Sequence, residues 1–196
     1  MSLKKAMEEL LKELHVRGFI DQEVLEHTPE RYTKALYELL NGYYENPNSH
    51  VVLFENREQT DIIYATCEFY SLCEHHCLPF FGKVHIAYAP TDKIIGLSKL
   101  GRIVDVFARR LQVQERLTNQ IADFLFGCDL KPRGVFILVE GKHLCMIMRG
   151  IKKQDAITKT VAVRGCFAEG EEAHRKREEV LMILRERGVI GKSEKE

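Results

Sequence analysis

The sequence predicts an α+β fold: an antiparallel sheet with two helices between its middle strands, preceded by an N-terminal helical lobe. Three observations lead there. The apolar period changes from helical to alternating after the polar stretch "ENPNSH" at 45–50. Strand-like segments are joined by short turns, which favours antiparallel pairing with helices on one face. Two helical stripes then separate an early group of strands from a later one.

Taken in order, "MSLKKAMEELLKELHVRG" reads as an amphipathic helix with Leu3, Met7, Leu10 and Leu14 on one stripe. A second helix is expected from "HTPERYTKALYELLNGY", with Thr28 as N-cap, Pro29 in its first turn and Glu30 at its positive end. Tyr32, Ala35, Leu36, Leu39 and Leu40 form its inward stripe, and Gly42 offers the stop. Residues 1–48 are thus expected to form a helical lobe and 49–196 a second domain.

A strand is expected over 60–71. "KVHIAYAP" continues with Val84, Ile86 and Tyr88 on one face and His85, Ala87 and Ala89 on the other. Leu100, Ile103, Val104 and Phe107 share one helical stripe; Leu117, Ile121, Phe124 and Leu125 share the next. "KPRG" turns the chain into the strand "GVFILVEG". Further strands are expected at Leu144–Met148 and Thr158–Cys166, then a charged helix from Glu171 to Arg187 and a frayed "GKSEKE".

Lys plus Arg equals Asp plus Glu at 29 each, so bulk charge gives no support to a nucleic-acid or anionic-membrane partner. The apolar runs are too short to span a bilayer, and the first residues do not read as a signal peptide. A cytoplasmic protein is expected, in which six cysteines are thiols or metal ligands rather than a disulfide framework.

The chemistry concentrates in "SLCEHHCLPF" at 71–80. Zinc prefers thiolate and imidazole, and Cys73 with His76 forms a C-x2-H pair. "KHLCMIMRG" offers His143 and Cys145; beside the Cys73 turn, Cys145 would complete three ligands and leave a position for water. If Cys77 also ligated, the site would be closed and structural, and spacing alone leaves both open. Cys67, Cys128 and Cys166 read as core thiols. His75 and His143 suit proton transfer. Lys99, Arg102, Arg149, Arg31 and Lys34, with Ser98 at a helix start, would together suit a polyphosphate. Glu115, beside Gln114, could accept two hydrogen bonds from guanine, although alone it reads as an ordinary exposed helix residue.

As an ordered set, "HTPERYTKALYELL", "FYSLCEHH", "GLSKLGRIV", "VQERLT", "HLCMIMRG" and "TKTVAVRGCF" closely resemble the GTP cyclohydrolase I family over about residues 25–170. The resemblance implies the tunnelling fold and toroidal homo-oligomers, usually decamers of two facing pentamers, with active sites between subunits. It implies a zinc-dependent conversion of GTP and water to formate and 7,8-dihydroneopterin triphosphate, the first step of pterin and folate synthesis. Carried over, Cys73, His76 and Cys145 would hold Zn2+, and a water acidified by the metal would attack C8 of the guanine. His75 and His143 would transfer protons. Ser98 would act in catalysis, contacting the phosphates and supporting the ribose rearrangement; Lys99, Arg102 and Arg149 would contact the triphosphate, with Arg31 and Lys34 as weaker candidates. Glu115 would read guanine with Gln114 beside it. Cys77 departs from the family, where many members carry an apolar residue; it is expected to be a bystander thiol. The N-terminal lobe is expected to be short, without a long extension of a regulatory kind.

Overall fold

A computed structural model describes residues 2–186, 188 and 189. The expected frayed stretch at 191–196 lies outside them. Helix α1 (Leu3–Val16) is capped by the Ser2 hydroxyl, which accepts from the Lys5 amide. Its inward residue is Leu11, with Met7 and Leu14 half-buried, while Leu3 and Leu10 are exposed. Helix α2 (Gln22–Leu39) packs back on α1.

α2 begins well before Thr28. Asp21 is its N-cap, accepting from the Val24 amide at 3.0 Å, and Glu23 adds negative charge to the first turn. Pro29 therefore lies inside the helix, where it is buried. Burying its ring keeps in place a residue that costs a backbone hydrogen bond. The inward stripe shifts accordingly, and Tyr32 and Ala35 are exposed. Gly42 does not stop the helix, whose C-cap is Leu40. It sits in a 3-10 turn pressed on the next helix, where a Cβ would meet the Val106 carbonyl oxygen at 2.3 Å.

The sheet follows. β1 (Leu53–Glu55) pairs only with β4 (Lys93–Ile95), a ribbon too short to show in the sequence. The main sheet contains β2 (Ile63–Cys73), β3 (Pro79–Ala89), β5 (Leu111–Gln112), β6 (Gly134–His143) and β7 (Thr158–Gly165), in the order β5-β2-β3-β6-β7. The long pairings are antiparallel. β5 runs parallel to the end of β2, so the sheet is mixed rather than wholly antiparallel.

Helices α3 (Leu97–Ala108) and α4 (Gln114–Gly127) lie between the β3 and β6 segments of the chain. Their stripes at Leu100, Ile103, Val104, Leu117, Ile121 and Leu125 bury against Val84, Ile86, Tyr88, Val135, Ile137 and Val139. The alternation of β3 is borne out, because Ala87 and Ala89 belong to a second cluster with Phe136, Leu138 and Phe167. That cluster is covered by Val180 and Leu184 of α6 (Ala173–Glu186), so helices occupy both faces, not one. The expected strand at 144–148 is instead a single helical turn, α5 (Leu144–Ile147). Its apolar residues resemble a strand, but the ladder between β6 and β7 begins only at Gly141 and Thr158.

Asp61 ties α6 to the start of β2. It bonds Arg133 and accepts from Lys176 Nζ at 3.2 Å, and the Lys176 side chain is only 2% exposed. These cations hold the Asp61 carboxyl below its ordinary value. Its stabilising contribution is therefore complete above the unfolded carboxyl value and is lost as pH falls through the lower folded one. Asp61→Ala strands a buried ammonium, and a loss of about 1–3 kcal/mol is expected at neutral pH. Thermal unfolding across the acid range checks this: the gap between variant and parent should close as the carboxyl protonates.

Candidate metal centre and active site

β2 ends at Cys73 and the chain reverses into β3 through 74–78. The turn is wound on Cys73. Its amide donates to the Leu78 carbonyl at 2.9 Å, and its carbonyl accepts from the His76 and Cys77 amides at 3.3 and 2.8 Å. The Glu74 amide donates to Gln112 at 3.0 Å, and the Glu74 carboxylate accepts both arms of Arg116 from α4. That fork fixes the turn against α4 more tightly than a single contact would; its hydrogen bonds hold Glu74 low and Arg116 high.

The pairing of β3 with β6 sets Phe80 opposite His143. Two residues later, in the short helical turn α5, Cys145 lies beside Cys73. The ligand atoms of Cys73, His76 and Cys145 all fall within 4.8 Å of one another, and Cys73 Sγ is 3.8 Å from His76 Nδ1. Burial, and then the neighbouring Cys73 sulfur, push the Cys145 thiol up. Two thiols and an imidazole converging this closely suit a soft divalent cation, which would favour the deprotonated Cys145 sulfur that the protein alone disfavours. Cys77 is exposed, has φ of +52°, and is not part of this group.

His143 stands next to the ligands. Its ring stacks on Phe80 with centroids 4.5 Å apart and planes 6° from parallel. Its Nε2 donates to Gln114 Oε1 at 2.9 Å. Burial holds its pKa below the ordinary value, and the Glu115 carboxylate opposes that shift. Glu115 is exposed in the first turn of α4, next to Gln114, which is 1% exposed. His75 is exposed, edge-on to His76. Arg149 is exposed, and its charge acts on Cys145.

The other anticipated residues do not converge here within one chain. Ser98 and Lys99 lie in the first turn of α3, and Arg102 lies one turn on. The far end of that helix leads into β5, which meets Cys73. At 1.5 Å per residue, Ser98 is about 15 Å up the helix from Ala108. Arg31 and Lys34 are exposed on α2, with Lys34 3.5 Å from Glu30. Among the remaining thiols, Cys128 is buried and Cys67 is pushed up to about 12, by burial first and Asp105 second. Both behave as packing groups.

Phe80, Arg116 and Gly141 support the site without having been anticipated. Gly141 did leave a signal: an isolated glycine inside a strand marks a close approach. Here a Cβ would come within 2.3 Å of Gln114 Oε1. If the metal group is the three residues alone, Cys145→Ser loses bound zinc, whereas Cys77→Ser retains about one ion per chain. Metal analysis after desalting measures both.

Comparison with known proteins agrees with the geometry. The sequence profile of the GTP cyclohydrolase I family matches residues 3–185. A GTP cyclohydrolase 1 of Saccharomyces cerevisiae is 44% identical over 191 residues, 96% of this chain and 74% of that protein. One from Coxiella burnetii is 47% identical over 167 residues, 84% of this chain and 89% of its own length. One from Chlorobium chlorochromatii is 49% identical over 148 residues, 74% of this chain and 66% of its own.

Proposed function

The chain belongs to the GTP cyclohydrolase I family, and we propose that Cys73, His76 and Cys145 hold a zinc ion at which GTP is hydrolysed. The protein is a hydrolase of this type. The overall reaction takes GTP and water to formate and 7,8-dihydroneopterin triphosphate, opening the imidazole ring at C8 before the ribose rearranges. The observation that carries the zinc assignment is the three-residue donor set with Cys77 outside it.

Zinc in a three-ligand site keeps a position for water and lowers its pKa, supplying a nucleophile at neutral pH. The remaining work falls to side chains of the chain. Glu115 accepts from N1–H and the amino group of guanine. His143, beside the ligands, takes and returns protons. His75 does so from the exposed side of the turn. Ser98, Lys99, Arg102 and Arg149 bind the triphosphate, with Arg31 and Lys34 at the margin.

Ser98 and Lys99 sit about a helix length from the metal turn of their own chain, which favours their coming from a second copy, whereas Arg149 lies near the turn itself. The sheet offers the means of assembly. Among the described residues no further strand pairs with the outer side of β7, and β5 covers only the end of β2, at Leu72 and Cys73. Two open edges at opposite ends of one sheet suit head-to-tail pairing that closes a ring. A toroidal decamer of the tunnelling fold, with sites between subunits, is the assembly proposed. Free thiols at six positions suit the cytoplasm; among the described residues no helix is long and apolar enough to cross a membrane.

Purified protein given GTP should release formate and the pterin chromophore in equal amounts, lose both on chelation and regain both with zinc. A zinc-loaded ring that produces neither would overturn the reading. Glu115→Ala should reduce kcat/KM for GTP by about 100-fold or more, the loss of two charge-assisted hydrogen bonds.

A further inference from the structure

We infer that Gln114 is a positioning residue for His143 rather than a contact to guanine: its fixed amide holds the His143 ring proton on Nε2 and leaves Nδ1 as the proton-accepting nitrogen. This rests on the reading above only in giving His143 a catalytic role.

The inference follows from tracing each hydrogen. The Thr118 hydroxyl donates to the Gln114 backbone carbonyl at 2.7 Å. Its proton is thereby committed, so in its 2.6 Å contact with Thr160 the Thr160 hydroxyl is the donor. Thr160 Oγ1 then has only lone pairs to offer Gln114 Nε2, 3.1 Å away. That nitrogen also faces two backbone carbonyls, Val139 at 3.0 Å and Thr158 at 2.9 Å. Three acceptors around one end of the amide leave a single orientation, because a flipped amide would set its oxygen against them. Oε1 must therefore face His143, and the ring nitrogen 2.9 Å from it must carry the hydrogen.

Two more features restrict the ring. Stacking on Phe80 fixes its plane, and the bond to Oε1 fixes its rotation within that plane. Gly141 provides the space: a Cβ there would lie 2.3 Å from Gln114 Oε1 and 3.4 Å from His143 Nε2. Gln114 itself is 1% exposed, and both ends of its amide are already engaged. A guanine contact would have to break one of these bonds, which would leave a buried polar group unpaired.

The test compares the zinc-loaded parent ring with Gln114→Leu and, separately, Gly141→Ala, which disturbs the same contact while leaving Gln114 in place. Metal content and assembly are checked for each. Both variants should lower kcat by about 10- to 100-fold while KM for GTP stays within about 2-fold. The double variant should be no worse than the more severe single one, since both remove one interaction. Nitrogen-15 spectra of labelled histidine should show His143 protonated at Nε2 in the parent, and that preference should be lost in Gln114→Leu. A raised KM with unchanged kcat in Gln114→Leu, unchanged kinetics in both variants, or an identical His143 tautomer in parent and Gln114→Leu would overturn the inference. Failure of the parent to turn over GTP would instead overturn the functional reading, and the tautomer comparison would still test Gln114.

Discussion

The β3–β6 register is the constraint on which the site depends. Cys73 and Cys145 are far apart in sequence and meet because Phe80 pairs with His143, at one end of a ten-pair ladder whose other end sets Ala89 opposite Gly134. Side chains alternate across a sheet, so a slip of one residue would turn His143 from the face covered by α3 and α4 to the face covered by α6. The register is held by burial on both faces: Val84, Ile86, Tyr88 and Ile137 on one side, Ala87, Phe136 and Leu138 on the other. Metal affinity and sheet stability are thus consequences of the same packing.

Around that register, charged and polar groups divide into two kinds. Glu74, Arg116, Gln114 and Thr160 are engaged with one another or with the backbone and hold geometry. His75, Glu115 and Arg149 are exposed and available to a ligand. Cys77 belongs to neither kind. Its left-handed backbone closes the turn with its amide on the Cys73 carbonyl, while its side chain stays in the open.

Much of this was legible in the sequence where local pattern and tertiary demand coincide. The alternation of Val84, Ile86 and Tyr88 and the stripes of α3 and α4 are buried as expected. The metal trio was legible because thiolate and imidazole are scarce and chemically selective. Elsewhere tertiary contact prevailed. Pro29 marks a helix start in local terms but lies within one, buried; Leu11 rather than Leu10 faces inward. The apolar run at 144–148 looks like a strand, and only the length of the β6–β7 ladder makes it a turn. No local signal places α6 on the opposite face of the sheet. The sequence places Gln114 beside Glu115 but does not show that its amide donates to the Val139 and Thr158 carbonyls, because those partners come from distant strands.

The central claim is that the metal has three protein ligands and an open position. X-ray absorption at the zinc edge of the loaded protein tests it most directly, because sulfur and lighter donors scatter differently and at different distances. Two sulfur ligands are expected, from Cys73 and Cys145, with the remaining positions filled by nitrogen or oxygen. Three sulfur ligands would mean that Cys77 closes the site and would contradict it.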